Sequence, residues 1–246
     1  MTPLISVITV TYNAGNLIGR TLDSLKKQSF KDFEHLVIDG NSNDDTLMKV
    51  REANLPQSFV VSEPDHGLYD AMNKGLNIAK GKYVIFLNAG DVFHDETILA
   101  SYASHAENNA DIIYGDTDIV DNSGNKISKR HLSVPNKLTK DSFADGMLIC
   151  HQAFMVRKNL TQKFDLSYRF SSDYDWCIKC INKSSTEKCI NLKRVTIDYL
   201  NDGLTDKNKL KSLRERFIIM RNNFGLSKTL RKHLVFIFRA IRRGKL

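Results

Sequence analysis

The segment at residues 82–91 constrains the fold more than any other, because a short apolar run in it is followed at once by a polar turn. Residues 83–87 are apolar and include β-branched and aromatic side chains, which is typical of a strand buried on both faces within a parallel sheet. The run stops at Asn88, and Gly90 and Asp91 follow. Ligands of open α/β sheets bind outside the carboxyl ends of the strands, so Asp91 is predicted to hold a divalent cation that carries a diphosphate. The alternative is that Asp91 caps a following helix.

The segments around this run indicate an α/β fold with a mostly parallel central sheet flanked by helices. Apolar, β-branched runs at residues 5–12 and 33–38 are each followed by a polar turn and a helical pattern, which requires crossover connections. The second run ends at Asp39, the place of the acidic residue that holds a nucleotide in a doubly wound sheet. A turn or helix-capping role is the alternative for Asp39. No G-x-G-x-x-G pattern follows the first run, which argues against a dinucleotide cofactor.

The length and composition favour one sizeable globular domain, with 246 residues of which 41% are hydrophobic. No basic and apolar leader precedes the first strand, and no apolar run approaches the ~18 residues of a spanning helix. We therefore expect a cytoplasmic protein, or one bound peripherally at the inner face of the cytoplasmic membrane. Cys177-Ile-Lys-Cys180 lacks a second pair with metal spacing, so buried thiols are expected rather than zinc.

The last forty residues are strongly basic. Residues 207–246 contain thirteen Lys and Arg against Glu215 alone, a net charge of +12; the whole chain carries +8, so the first 206 residues carry −4. The sequence predicts two helices in this region. The first has an apolar stripe of Leu210, Leu213, Phe217, Met220 and Phe224.

The second of these helices combines an apolar stripe with basic flanks. The stripe is Leu230, Leu234, Ile237, Phe238 and Ile241, and the flanking cations are Arg231, Lys232, Arg239, Arg242 and Arg243. This composition suits a helix that lies on an anionic membrane surface. The alternative is that the stripe packs on the domain or on a second subunit. Nucleic-acid binding is not expected, because aromatic residues are not interleaved with the basic face.

Six separated motifs follow one another along the chain. They are Ser6-Val-Ile-Thr-Val-Thr-Tyr-Asn13, Val37-Ile-Asp-Gly-Asn-Ser-Asn-Asp-Asp-Thr46, Asp65-His-Gly-Leu-Tyr-Asp-Ala-Met-Asn-Lys-Gly75, Leu87-Asn-Ala-Gly-Asp91, His151-Gln152 and Ser172-Asp-Tyr-Asp-Trp176. Together they resemble glycosyltransferase family 2, in particular bacterial enzymes that build surface polysaccharides. The resemblance implies a GT-A-like fold, with a glycosyltransferase domain at residues 1–205 and a basic amphipathic helical extension at residues 206–246.

The resemblance also implies roles for individual residues. Asp39 matches the acidic residue that holds the nucleotide base, and Thr9 and Tyr12 line the same pocket. Asp91 matches the carboxylate that binds the metal, and Asp173 matches the general base of inverting transfer. Asn88 is assigned to nucleotide binding, and Asp70, His151 and Thr205 are assigned to the donor and acceptor pocket. Thr205 belongs to a segment that resembles the mobile loop that folds over the donor diphosphate.

Some positions depart from the family pattern or have other interpretations. Asn88 and Gly90 stand where carboxylates are often found, and Ser172 replaces the Glu that usually precedes the base. Asp175 is an equal candidate for the base on sequence alone. The alternatives for the pocket residues are an interior histidine for His151 and packing or capping roles for Tyr69 and Asp70.

The function predicted from these residues is inverting, metal-dependent glycosyl transfer from a nucleotide-diphosphate sugar to a hydroxyl of a glycan or lipid-linked glycan, in cell-surface polysaccharide synthesis. Mn²⁺ or Mg²⁺ is expected to neutralise the leaving diphosphate, and a carboxylate to accept the hydroxyl proton. One alternative is a non-catalytic nucleotide-sugar-binding protein, suggested by Asn88, Gly90 and Ser172. A nucleotidyltransferase is disfavoured, because residues 12–16 lack a Gly-rich phosphate loop with a basic residue.

Overall fold

A mixed sheet of nine strands organises the chain, for which a computed structural model describes residues 2–201 and 209–242. The strands are β1 (Ile5–Thr11), β2 (Phe33–Asp39), β3 (Ser58–Ser62), β4 (Tyr83–Phe86), β5 (Val92–Phe93), β6 (Ile112–Val120), β7 (Lys126–Lys129), β8 (Phe154–Arg157) and β9 (Cys189–Leu200). The helices are α1 (Gly15–Lys26), α2 (Thr46–Glu52), α3 (Leu68–Ile78), α4 (Ile98–Glu107), α5 (Ser172–Lys183), α6 (Lys209–Phe224) and α7 (Leu226–Arg242). Short 3₁₀ turns at Ser142–Asp145 and His151–Ala153 complete the parts that concern the site.

The strand order is β3-β2-β1-β4-β8-β6-β9-β5, and β7 pairs with β6. Strands β3, β2, β1 and β4 are parallel neighbours, as are β6 and β9. Strand β8 lies antiparallel between β4 and β6, and β5 lies antiparallel beside β9. The predicted α/β class and mostly parallel sheet are confirmed. The carboxyl ends of β1, β2, β4 and β9 therefore reach the same edge of the sheet.

Strand β4 lies at the centre of the fold, as its apolar sequence predicts. All four of its residues are fully buried, and the strand is paired with β1 on one side and with β8 on the other. Helix α3 approaches this layer closely at Gly75, where a Cβ atom would lie 2.5 Å from a side-chain carbon of Ile8. A glycine is required at this point because any larger side chain would push α3 away from the sheet.

An aromatic cluster joins β4 to helices α3 and α5. The ring of Phe164 stacks on the rings of both Trp176 and Tyr69, with centroid distances of 5.1 Å and 5.6 Å. Phe86 of β4 meets the Trp176 ring edge to face at 5.6 Å. Offset stacks and edge-to-face pairs of this kind add to the stabilisation from burial. The cluster fixes the first turns of α3 and α5 relative to the end of β4.

The four cysteines are buried free thiols, as expected from their spacing. Cys177 and Cys180 lie on α5, and desolvation by burial raises the pKa of all four thiols. Neutral thiols of this kind behave as small apolar side chains.

The two predicted C-terminal helices are present as α6 and α7, but the apolar stripe predicted for α6 is wrong at its first two positions. Leu210 and Leu213 are 83% and 54% exposed, whereas Ser212, Ile219 and Met220 are buried. Leu210 and Leu213 face solvent because hydrogen bonds of Glu215 and Ser212 fix the rotation of the helix. The division of the chain at residue 205 stays a prediction.

Glu215 sets the orientation of α6. Its two carboxylate oxygens accept hydrogen bonds from the backbone N–H groups of Arg169 and Phe170, each at 2.9 Å. One turn earlier, the Ser212 hydroxyl lies 3.0 Å from the hydroxyl of Ser171. These contacts join α6 to the segment that leads into α5.

Helix α7 contacts the domain through charged and aromatic side chains. Lys228 and Lys232 form ion pairs of 2.6 and 2.7 Å with Asp141 and Asp145, and the ring of His233 packs against an aromatic ring of α6. The opposite face carries apolar side chains that are between 40% and 67% exposed: Leu226, Leu230, Leu234, Val235, Ile237 and Phe238. The alternative that the predicted stripe packs on this domain is therefore wrong for Leu230, Leu234, Ile237 and Phe238; the side chain of Ile241 lies outside the described set.

No helix in residues 2–201 and 209–242 is long and apolar enough to cross a membrane. The exposed apolar face of α7 belongs to an amphipathic helix and not to a spanning one, because its other side carries the lysines that pair with the domain.

Candidate active site

The ends of β1 and β2 form the first part of the site. Thr11 and Asp39 are register partners at the last positions of these strands. Asp39 is fully buried, and its carboxylate accepts hydrogen bonds from the Ser42 N–H and hydroxyl and from the Ser62 hydroxyl at 2.7 Å. The turn role considered for Asp39 is therefore present, and its nucleotide role stays a prediction.

Tyr12 presents the exposed surface at this edge, with 62% of its area accessible. Its ring lies beside Gly40, where a Cβ atom would be 3.3 Å from the ring and 2.6 Å from a carboxylate oxygen of Asp65. The hydroxyl of Thr11 is buried without a hydrogen-bond partner. The exposed aromatic ring of Tyr12 is a surface on which a nucleoside base can stack.

The prediction that Thr9 lines this pocket is wrong. Thr9 is fully buried inside β1, where its hydroxyl donates to the Leu87 carbonyl at 2.7 Å and lies 2.9 Å from Nε2 of His35. Thr9 lies two residues before the end of β1, so its side chain is buried in the core and does not reach the edge of the sheet where ligands bind.

Asp91 lies in a buried hydrogen-bonded junction at the end of β4. One carboxylate oxygen accepts the Leu200 N–H at 2.7 Å, and the other accepts a hydrogen bond from the Gln152 amide group. Gln152 also accepts the N–H of Asn88 at 2.6 Å through its carbonyl oxygen. Desolvation raises the pKa of Asp91 to about 6, against the opposing effect of these hydrogen bonds. The junction ties the ends of β4 and β9 to the His151-Gln152 motif.

The groups in this turn suit a hard divalent cation. The side-chain oxygen of Asn88 is buried without a partner, and each oxygen of Asp91 accepts one hydrogen bond and so retains acceptor capacity. Magnesium-type cations are commonly held by one or two protein oxygens, with phosphate oxygens and water as the other ligands. Asp91 and Asn88 are therefore the residues that would hold such an ion.

Asp173 lies in the first turn of α5, at the centre of a second hydrogen-bonded group. Its Oδ1 accepts a hydrogen bond from the Tyr69 hydroxyl at 3.0 Å, and its Oδ2 lies 3.3 Å from Nδ1 of His151. On the other side of the imidazole ring, Nε2 lies 3.5 Å from the amide nitrogen of Asn88. With the proton on Nδ1, His151 donates to Asp173 and accepts from Asn88, so one imidazole connects the carboxylate to the end of β4.

Several groups compete to set the pKa of Asp173. Desolvation by burial raises it, but the hydrogen bond from His151, the interactions with His151 and Arg216 and the hydrogen bond from Tyr69 outweigh that effect and lower the pKa. Arg216 reaches this group from α6, and its Nε is buried without a partner. Asp173 is therefore held as a carboxylate at neutral pH.

Asp175, the other candidate for the base, is used elsewhere. It is 4% exposed and forms an ion pair of 2.5 Å with Lys179, one turn later on α5, and it also faces Asn223 of α6. The structure therefore favours Asp173, which faces His151 and Asn88, over Asp175.

Two of the predicted pocket residues are not placed in the site. Asp70 accepts the backbone N–H of His66 at 3.0 Å and caps the start of α3, which is the alternative considered for it. Thr205 lies outside the described residues. The adjacent Tyr69 packs on Phe164, the alternative considered for it, and its hydroxyl also contacts Asp173. Gln152 belongs to a recognised motif but had no assigned role.

The arrangement fits a glycosyltransferase of the GT-A fold. The chain belongs to glycosyltransferase family 2: the model of the family described as Glycosyl transferase family 2 matches residues 6–164. A PGL/p-HBAD biosynthesis glycosyltransferase of Mycobacterium bovis is 31% identical over 225 residues, which cover 86% of this chain and 84% of the relative. The UDP-Glc:alpha-D-GlcNAc-diphosphoundecaprenol beta-1,3-glucosyltransferase WfgD of Escherichia coli is 25% identical over 219 residues, which cover 88% of this chain and 85% of the relative.

Solved structures agree on the fold. S. aureus TarS (residues 1–349) in complex with UDP-GlcNAc matches with a TM-score of 0.71 and 19% identity, over 95% of this chain and 73% of that one. Glucosyl-3-phosphoglycerate synthase of Mycobacterium tuberculosis, in complex with Mn²⁺, UDP and glucosyl-3-phosphoglycerate, matches with a TM-score of 0.64 and 15% identity, over 91% and 81%. The family model and the curated relatives show that the protein is a glycosyltransferase, as the motifs predict.

Proposed function

We propose that this enzyme transfers a sugar from a nucleotide-diphosphate donor to a hydroxyl of a glycan or lipid-linked glycan, with inversion at the anomeric carbon, in cell-surface polysaccharide synthesis. The observation that carries the proposal is the connection from Asp173 through His151 to Asn88, which links a carboxylate to the strand end where the donor is expected. The name of WfgD, which specifies a diphosphoundecaprenol-linked acceptor, supports the acceptor class.

On the donor side, the nucleotide would lie at the ends of β1 and β2. The exposed Tyr12 ring offers a stacking surface for the base. Asp39 orders the turn through Ser42 and so keeps the pocket in shape. A divalent cation, Mn²⁺ or Mg²⁺, held by Asp91 and Asn88 would neutralise charge on the leaving diphosphate.

On the acceptor side, Asp173 would accept the proton of the attacking hydroxyl. The hydroxyl oxygen bonds to the anomeric carbon while the bond from that carbon to the diphosphate oxygen breaks, and the proton moves to a carboxylate oxygen of Asp173. Attack on the face opposite the diphosphate inverts the anomeric centre. Tyr69 and His151 hold the carboxylate in place, and Asn88 orients the His151 ring.

The proposed activity is tested by screening nucleotide sugars with the full chain. Thermal shift with manganese identifies the donor that binds, and slow release of nucleoside diphosphate from that donor measures turnover without an acceptor. We expect metal-dependent release for one donor class. Binding without any release, with or without candidate acceptors, would favour a non-catalytic sugar-nucleotide binder.

A substitution of Tyr69 by phenylalanine is expected to move the pH dependence of turnover. Removing the hydroxyl deletes a hydrogen bond that favours the ionised form of Asp173, so the pKa of this carboxyl rises. The acidic limb of the kcat profile should therefore shift to higher pH in Tyr69→Phe. Tyr102→Phe loses an equally buried hydroxyl that contacts Thr196, and its profile should keep the wild-type midpoint. Unchanged limbs in both variants would contradict the contact with the base.

We further propose that α7 attaches the enzyme to an anionic membrane surface, where a lipid-linked acceptor resides. The exposed face of α7 carries six apolar side chains, while its basic residues belong to a segment of high positive charge. Apolar side chains at the acyl boundary combined with Lys and Arg at anionic headgroups are the features of an interfacial helix. Each basic residue near such a surface contributes about 1 kcal/mol.

Co-sedimentation with vesicles tests this attachment. Full-length protein should bind vesicles rich in phosphatidylglycerol and bind phosphatidylcholine vesicles weakly. Burial of one large apolar side chain is worth about 1.5–3 kcal/mol, so Phe238→Asp should weaken binding at least ~10-fold. Met48→Asp is the control, because Met48 is 51% exposed on α2.

The result also separates membrane attachment from the remaining alternative. A chain that ends at Ser227 should lose vesicle binding. Equal partitioning of full-length protein and Phe238→Asp, together with a concentration-dependent dimer that the same substitution abolishes, would assign the exposed face to a second subunit.

A further inference from the structure

A cluster of two carboxylates and one imidazole lies on the β5–β9–β6 side of the sheet and takes no part in the proposed reaction. Asp118 of β6 and Asp198 of β9 are register partners on neighbouring parallel strands, and His94 directly follows β5, which pairs with β9. Nδ1 of His94 lies 2.8 Å from Oδ1 of Asp198. One ligand atom from each of the three side chains lies within 4.8 Å of the other two.

Two carboxylates face each other in this cluster, and one of their oxygens is unpaired. Like charges directly opposite each other on adjacent strands destabilise a sheet. Asp118 is 4% exposed, and its Oδ1 has no hydrogen-bond partner, although a buried carboxylate oxygen normally has one. Lys126 pairs with the other oxygen of Asp118 at 2.6 Å, and the side chain of this lysine is 48% exposed.

We propose that His94, Asp118 and Asp198 form a binding site for a divalent transition-metal cation of the Zn²⁺ type. Imidazole nitrogen and carboxylate oxygen are ligands that Zn²⁺ accepts, with water as a fourth ligand. The unpaired oxygen of Asp118 becomes a ligand, and the repulsion between the two carboxylates is relieved. As the cation binds, Nδ1 of His94 gives up the proton that faces Asp198, and the neutral ring carries its proton on Nε2.

The position of the cluster defines what the cation would do. Asp198 is the register partner of Val92, the residue after Asp91, and lies two residues before Leu200, whose N–H binds the Asp91 carboxylate. A cation at this cluster would tie β5, β6 and β9 together next to the junction that fixes Asp91. Its role would be structural, and its ligands are separate residues from Asp91 and Asn88.

Titration calorimetry of the full chain with Zn²⁺ alone, after removal of metals with a chelator, tests the site. We expect one equivalent to bind and the Tm to rise. Asp118→Asn should lower the affinity at least ~10-fold, whereas Asp116→Asn, an exposed aspartate on the same strand, should bind as the wild type does. Asp91→Ala should retain zinc binding, which separates this site from the donor site.

Lys126 provides a test that does not depend on losing a ligand. If the cation competes with Lys126 for Asp118, Lys126→Met binds Zn²⁺ more tightly than the wild type. If neither the wild type nor Lys126→Met binds Zn²⁺, and Lys126→Met has a lower Tm, the proposal is wrong. The lysine and the imidazole then serve only to neutralise the two carboxylates. Equal zinc affinity in the wild type and Asp118→Asn would likewise overturn the assignment.

Discussion

Replacement of Asp173 by asparagine should lower turnover by ~10²–10⁴-fold while the fold and the donor affinity are retained, since this is the usual contribution of a positioned proton acceptor. The structure explains why the substitution is tolerated. The asparagine oxygen can still accept the Tyr69 hydroxyl, and its amide group can donate to Nδ1 of His151 in the other tautomer, at the cost of the 3.5 Å contact between Nε2 and the Asn88 amide nitrogen. The measurement is kcat with the identified donor, together with donor Kd by calorimetry.

Asp175→Asn is the matched control for this prediction, because it removes a carboxylate two residues away on the same helix. Asp175 pairs with Lys179, so its loss should lower stability while kcat stays within a fewfold of the wild type. A large loss of turnover at unchanged donor affinity in Asp175→Asn, and not in Asp173→Asn, would show that the base has been assigned to the wrong carboxylate.

The parts of the fold that follow from local pattern were predictable. The apolar run that forms β4 identified the centre of the sheet, and the polar residues after it identified the ligand edge. The positions of Asp39 and Asp91 at strand ends on this edge were predictable because the strand ends of a parallel sheet converge, whereas their roles stay predictions. The same reasoning failed for Thr9, because side chains in the middle of a strand are buried and only residues at the strand end reach the ligand edge.

Contacts between distant segments were not predictable from the sequence. Tyr69 and Asp173 are 104 residues apart, and Gln152 and Asp91 are 61 residues apart. The choice between Asp173 and Asp175 depends on the rotation of α5, which the aromatic stack on Trp176 fixes. On α6, hydrogen bonds of Glu215 with backbone groups overrode the apolar periodicity, so Leu210 and Leu213 remained exposed.

Replacement of Asp91 by alanine should abolish transfer and remove the metal-dependent part of donor binding, because the carboxylate that would hold the cation is lost. Loss of activity alone does not establish this role, however. The substitution also leaves the Leu200 N–H and the Gln152 amide without their acceptor, and each buried unpaired group costs about 1–3 kcal/mol. A purely structural role of Asp91 would therefore also inactivate the enzyme.

Gln152→Ala separates the two explanations, because it breaks the same junction and keeps the carboxylate. Nucleoside diphosphate affinity is measured for both variants with and without Mn²⁺, on samples whose folding is confirmed by circular dichroism. If Asp91 holds the cation, manganese strengthens binding to Gln152→Ala but not to Asp91→Ala. If manganese strengthens binding to both variants equally, the metal is held by other groups, and the function of Asp91 is to join the ends of β4 and β9 through Leu200.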